Sequence, residues 1–296
     1  MVASVRVTMN IQRAIVVVAF AFLTACGSHP ESSPLPSTPS PVPPPSPPPY
    51  QILNGYAYNT AFRPVAGATV TVLDGAQAGA TTTSNEVGKF AFTGAFAVPT
   101  TLKIVKDGYI TATVTARSNG SSGGMWAYVM LDSVARPVDL VGDYTLTIVA
   151  DSACTGIPNE LQTRNWPASI GITSGSNGQP GTSLTLAVSG GSFLANQDRF
   201  SIGVSGGDVT FSVYSGEEEV GLVEKIAAGT FLAIGGSSLV SIDSGPVAKI
   251  SAPFWGAIDY CALQSDTGWN YQCNSGPQTA YAHCESTQHQ MILTRR

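Results

Sequence analysis

Charge is scarce in this chain. Asp, Glu, Lys and Arg make up 11% of its 296 residues, and acids outnumber bases by 19 to 14. A chain this poor in cations, with no basic cluster, does not suit a nucleic-acid partner. Histidine is scarcer still: His29, His283 and His289 are the only three. That leaves few candidates for a general base. No His-Glu-x-x-His occurs, so the commonest zinc-protease signature is missing. No Cys-x-x-Cys occurs either, which speaks against a structural zinc site. No metal and no other cofactor is expected. Long apolar runs are also lacking. Ala14 to Leu23 spans ten residues, half of the roughly 20 that a membrane-crossing helix needs.

What is present begins with that short apolar run. Residues 19 to 30 read AFAFLTACGSHP. The first twenty-five residues carry Arg6 and Arg13 and no acid. A basic start, a short apolar core and small residues after it make a signal peptide. The block Leu23-Thr24-Ala25-Cys26 resembles the lipobox of bacterial lipoproteins. The resemblance implies cleavage before Cys26 and a diacylglyceryl group on its sulfur, with the new amine often acylated too. One acyl chain holds a protein only marginally, so a lasting anchor takes two or more. Gly27 and Ser28 lack the aspartate that retains some lipoproteins in the inner membrane. The expected address is therefore the bacterial cell envelope, at the outer membrane, with the membrane as a partner through lipid on Cys26.

Residues 26 to 49 follow as a stalk. Pro30 to Pro49 holds eleven prolines in twenty residues. Proline fixes φ and removes the amide donor, so neither helix nor sheet ladder can form there. An extended spacer rises about 3.1 Å per residue, roughly 60 Å in all. Without the leader, 19 acids face 12 bases, a net charge of about −7. Four cysteines lie beyond the stalk: Cys154, Cys261, Cys273 and Cys284. In an exported chain an even number reads as disulfides. Three connectivities are open, and Cys261 with Cys273 and Cys154 with Cys284 is the one favoured.

Residues 50 to 134 read as short alternating strands punctuated by glycine. Ala68, Val70 and Val72 alternate with Thr69, Thr71 and Leu73. Phe90 and Phe92 flank Ala91, and Leu102 and Ile104 flank Lys103. Period two with frequent turns predicts a β-sandwich. The stretch is similar to the carboxypeptidase regulatory-like, transthyretin-like domain. The matching pieces are Pro64 to Val72, Gly88-Lys89-Phe90-Ala91-Phe92 and Lys106-Asp107-Gly108-Tyr109. Thr83 to Gly88 departs from that family's Thr-Asp-x-x-Gly turn. The resemblance implies a seven-stranded sandwich of the kind grouped with carbohydrate-binding modules, an accessory without catalytic residues.

Arg136-Pro137 reads as a joint. Residues 137 to 296 then alternate again, at Tyr144-Leu146-Ile148, Ala168-Ile170-Ile172, Leu184-Leu186-Val188, Phe200-Ile202-Val204 and Val209-Phe211-Val213. Eight to ten strands are expected, joined as a meander. A terminal strand from Gln288 to Thr294 could pair with the first and close a barrel, which removes exposed edges. The expected fold is thus all-β: an immunoglobulin- or transthyretin-like sandwich, then an antiparallel barrel or barrel-like sandwich.

Candidate chemistry is thin. Glu217, Glu218 and Glu219 read as a solvated hairpin tip. Asp259, Asp266 and His283 are the residues an enzyme would draw on. Trp255, Tyr260, Trp269, Tyr271 and Tyr281 crowd the cysteine-rich end, and aromatic faces stack on sugars and apolar ligands. The first four are the candidate ligand-binding residues, in a barrel mouth near Trp255 and Trp269. Tyr56, Tyr58 and Phe62 are either core or rim. The expectation is a non-catalytic, lipid-anchored envelope protein that binds carbohydrate or an envelope protein. Alternatives are a hydrolase of surface polymers and an assembly protein that pairs through edge strands.

Overall fold

Buried and exposed side chains alternate along nearly every strand, as residues spaced by two on a pleated backbone require. The computed structural model describes residues 50–118, 124–172, 184–213, 221–243, 247–262 and 279–296. The leader, Cys26, the stalk and Glu217 to Glu219 lie outside the described residues. The described residues are all-β, 65% of them in strands and 3% in helices. Residues 47 to 296 form one compact unit. Among the described residues no helix is long and apolar enough to cross a membrane.

The first seven strands are β1 (Tyr50–Asn59), β2 (Thr69–Val72), β3 (Thr81–Thr83), β4 (Lys89–Phe96), β5 (Thr100–Val105), β6 (Ala112–Ser118) and β7 (Met125–Leu131). Their order is β3-β2-β5-β6-β7-β1-β4. They curl into a nearly closed barrel. β1 runs parallel to β7 and antiparallel to β4. The core holds Leu53, Val70, Phe90, Leu102, Ile104 and Met125, all at or near zero exposure. The alternation in 68–73, 90–92 and 102–104 is as read from the sequence. Asn85 organises the divergent turn: its carboxamide oxygen accepts the Val87 and Lys89 amides at 3.1 and 2.9 Å. Asparagine replaces a backbone turn in this way wherever its side chain can bond two residues on.

Nine strands follow: β8 (Gly142–Val149), β9 (Thr163–Ile172), β10 (Leu184–Val188), β11 (Arg199–Ser205), β12 (Asp208–Ser212), β13 (Leu222–Ala227), β14 (Thr230–Ser241), β15 (Lys249–Ala262) and β16 (Thr279–Arg295). Eight of them close into a barrel. The closing pair is the one the sequence suggests: Gln290 to Arg295 on β16 pair with Tyr144 to Val149 on β8. The path is not a simple meander. β14 pairs with β12 through residues 237–241 and with β13 through 230–234. β13 therefore continues the wall where β12 has ended. On its other side it takes the 192–197 segment, with the Leu194 amide 3.0 Å from the Val223 carbonyl.

Two glycines turn the wall. Gly236 and Gly256 face each other across β14 and β15 at φ +154° and +157°. A Cβ on Gly256 would lie 2.0 Å from the Gly235 carbonyl oxygen. Only glycine permits so close an approach. Inside, Tyr144, Leu146, Trp166, Phe200, Phe211 and Phe254 fill the barrel. Ile172, grouped by its spacing with Ala168 and Ile170, is instead 70% exposed at the end of β9.

The β8–β9 connection closes one end. Cys154, Ile157 and Leu161 from it are buried in the barrel core. A disulfide from Cys154 to Cys284, with Cα atoms 5.6 Å apart, staples it to β16. Cys261 is also disulfide-bonded; Cys273 lies outside the described residues.

The two β units meet at the turn after β1. Phe62 there takes φ +59°, a conformation that costs a bulky residue. Its ring lies over Gly203, where a Cβ would come within 2.8 Å of it. Beside it, Arg63 pairs with Asp208 at 3.2 Å. The Thr60 hydroxyl donates to the Val204 carbonyl at 2.6 Å. The Thr210 hydroxyl donates back to the Ala61 carbonyl.

Candidate functional site

The outer face of β1 and β7 carries four aromatic rings. On β1, Leu53, Gly55 and Ala57 face the core, which turns Tyr56 and Tyr58 outward. On β7, Met125, Ala127 and Val129 face the core, which turns Trp126 and Tyr128 outward. The parallel register sets Tyr56 directly beside Tyr128. Tyr56 is the hub. Its ring centroid lies 5.8 Å from Tyr128, 5.9 Å from Tyr58 and 6.2 Å from Trp126. The three interplanar angles are 17°, 19° and 11°. The rings thus share nearly one orientation. Tyr128 is 65% exposed and the other three are half-buried.

Rings held on two neighbouring strands lose little freedom when a ligand stacks on them. Their apolar faces and polar rims suit a partner that is itself apolar on one face and hydroxylated at its edge. Sequence reasoning weighed Tyr56, Tyr58 and Phe62 but missed Trp126 and Tyr128. The signal was there: in MWAYVML every second residue is apolar and aliphatic, and the three between them are Trp126, Tyr128 and Met130, two of them large aromatics. The choice between core and rim resolves by parity for Tyr56 and Tyr58. Phe62 is 63% exposed, with one side of its ring resting on Gly203 at the joint.

Of the four residues proposed from the sequence, Trp255 and Tyr260 are described, and they stand on opposite faces of β15. Trp255 stands on the outer wall of β15, 42% exposed. It lines a surface depression with Ser237, Gly256, Glu285, Ser286 and Thr287. Tyr260, five residues on, packs against the barrel core. An odd separation on one strand sends side chains to opposite faces. Tyr260 also meets Tyr281, at 5.2 Å between centroids. Trp269, Tyr271 and Asp266 lie outside the described residues.

Asp259 and His283 are cross-strand partners on β15 and β16. Their Oδ1 and Nδ1 lie 2.5 Å apart. Burial raises the Asp259 carboxyl above its ordinary value, and His283 pulls it back down. A carboxylate on Nδ1 orients an imidazole for proton transfer. Here, however, the ring stands on the outer wall, with 41% of its side chain exposed. Gly203-Val204-Ser205-Gly206-Gly207 spells Gly-x-Ser-x-Gly, but it turns from strand β11 into strand β12; a second such string, at 120–124, lies mostly outside the described residues. A nucleophile elbow joins a strand to a helix.

His289 points the other way and is fully buried. Its Nδ1 accepts the Asp151 amide at 2.9 Å. It lies within 4.8 Å of both sulfurs of the Cys154–Cys284 bridge. Those sulfurs are bonded to each other, so they are not available to a metal. Burial holds the His289 imidazole below its ordinary value, against the carbonyls of Cys284 and Gly256 and the Asp151 carboxylate. The unfolded chain therefore binds a proton before the folded one does. Stability is full above pH about 6.5 and falls as the pH drops through that value towards the lowered one. The urea midpoint should fall between pH 7.5 and 5. His289→Gln should remove most of that fall; an unchanged pH profile in the variant would assign the effect elsewhere.

No family model and no curated protein matches the chain. Among solved structures, the Bacillus anthracis TIE protein is similar over 74% of this chain at 10% identity, with a TM-score of 0.25. The match covers 46% of that protein's own length. A likeness at that score bears on neither the fold nor the function.

Proposed function

We propose that this is a non-catalytic, lipid-anchored protein of the bacterial cell envelope that binds polysaccharide. The observation that carries the reading is the face formed by Tyr56, Tyr58, Trp126 and Tyr128, whose rings lie within 19° of the plane of Tyr56. Pyranose rings present a C–H face to stack on and hydroxyls at the edge. A set of aligned aromatic rings on a rigid sheet is complementary to several such faces in a row. The leader, Cys26 and the proline-rich stalk support display of this face away from an outer-membrane anchor. The likeness of residues 50 to 134 to a carboxypeptidase regulatory-like domain points the same way, towards an accessory binding module.

The full chain in mild detergent, tested against a panel of polysaccharides and peptidoglycan fragments, should bind at least one saturably. Tyr56→Ala with Trp126→Ala should weaken that binding about tenfold or more, the usual effect of truncating anchor residues. Trp255→Ala should leave it unchanged. Retained affinity in the double variant would end the reading. Release of new reducing ends from a panel member would instead favour a hydrolase, with Asp259 and His283 as its candidates. The anchor has its own test. Cys26→Ser should abolish incorporation of labelled fatty acid, and a retained label would place the lipid elsewhere.

A further inference from the structure

We infer that the ligand of this face is an acidic polysaccharide, one whose sugars carry carboxylates, rather than a neutral glycan. The inference rests on the polysaccharide reading above and narrows it.

Register places the rings in two cross-strand rows. The first runs Lys89, Tyr56, Tyr128 across β4, β1 and β7. The second runs Ala91, Asn54, Trp126, Arg117 across β4, β1, β7 and β6. The first row holds two aromatics and the second one, with Tyr58 beside Met130 in the next row; each of the first two rows has a cation at one end, and the two cations stand at opposite ends. Three strand spacings separate β4 from β6, about 14 Å along the sheet. A glycan laid across the strands over Tyr56 and Trp126 would have an ammonium group on one flank and a guanidinium on the other.

Lys89 and Arg117 are both exposed. Among the described residues, neither forms an ion pair. The outward strand positions between and beside them are Ala91, Thr93, Ile52, Asn54, Tyr58, Met130 and Thr115, none of them acidic, and the nearest acid along the chain is Glu86 in the turn before Lys89. This matters because the chain as a whole is acidic, at −5 by formal charge. Two unpaired cations bracketing an aromatic patch are thus a local reversal of the protein's sign. A guanidinium or ammonium on a carboxylate makes charge-assisted hydrogen bonds, about twice as strong as those to hydroxyls. Against a neutral sugar the same side chains would donate to hydroxyls without the attraction between opposite charges.

The test uses the full chain in mild detergent and polymers that differ only in charge: polygalacturonate and its fully methyl-esterified form. Alginate and hyaluronate serve as further acidic probes, with a neutral glucan beside them. At least one acidic polymer should bind about tenfold more tightly than the neutral ones. That advantage should shrink with added salt, since the cations are exposed. Lys89→Gln with Arg117→Gln should bring acidic binding down to the neutral level without altering the fold, as both side chains are in solvent. Equal binding of the charged and esterified polymers would overturn the inference and leave the polysaccharide reading standing. So would an acidic polymer that binds the double variant as tightly as the parent. Binding to none of the polymers would overturn both.

Discussion

Replacing Glu224 with alanine should cost about 3–5 kcal/mol of stability, the usual price of leaving a buried charge without its partner. Glu224 lies on β13 with 5% relative exposure. Both its oxygens are engaged by Arg164 from β9, at 2.6 Å from Nη2 to each and 3.0 Å from Nε to Oε2. The Trp166 indole N–H donates to the same carboxylate at 3.2 Å. Trp166 is itself almost wholly buried, with the Arg164 guanidinium 5.6 Å from its ring centroid. The carboxylate thus joins β13 to β9 beside the end of the barrel core. Without it, a mostly buried guanidinium and an indole N–H both lose their acceptor. Glu224→Gln keeps one acceptor oxygen and should cost less. Urea unfolding followed by near-ultraviolet dichroism, which reads the Trp166 environment, measures both. A loss below about 1 kcal/mol for the alanine variant would show that water replaces the carboxylate.

Removing the Cys154–Cys284 bridge should be nearly as damaging. The two cysteines are 130 residues apart in sequence. Closing a loop of that size restricts the unfolded chain strongly, and losing such a bridge costs about 2–5 kcal/mol. Both cysteines should be replaced by alanine together, because one free thiol could attack the other bridge. The variant should unfold at lower urea and expose the β8–β9 connection first, since the bridge staples that segment to β16. Hydrogen exchange across residues 150–162 reads this directly. Exchange that stays as slow as in the parent would mean that Ile157 and Leu161 hold the segment by packing alone.

The fold was largely legible because a pleated strand has a period of two. Tyr144, Leu146 and Ile148 could be placed on one face without knowing what they touch. The closing pair of β8 and β16 was legible too, since a terminal strand with an apolar face needs a partner. The β13 detour was not. Its pairing with both β14 and the 192–197 segment depends on where β12 stops, and no local pattern encodes that. Glu224 was equally hidden. Its isolated charge in LVEKIA looks like a solvated residue until Arg164 is brought beside it from sixty positions earlier.

The candidate site divides in the same way. Trp255 and Tyr260 looked like neighbours by number, but their odd spacing sends one to the outer wall and the other to the core. Tyr56 and Trp126 are seventy residues apart, and only the parallel pairing of β1 with β7 makes them one surface. By itself the sequence determined the β character and the alternating cores, because each rests on local chain geometry. The tertiary structure alone decided which aromatics share a face, which cations flank them and which acid is buried. Those are properties of strand register, and register depends on contacts between segments far apart in the chain.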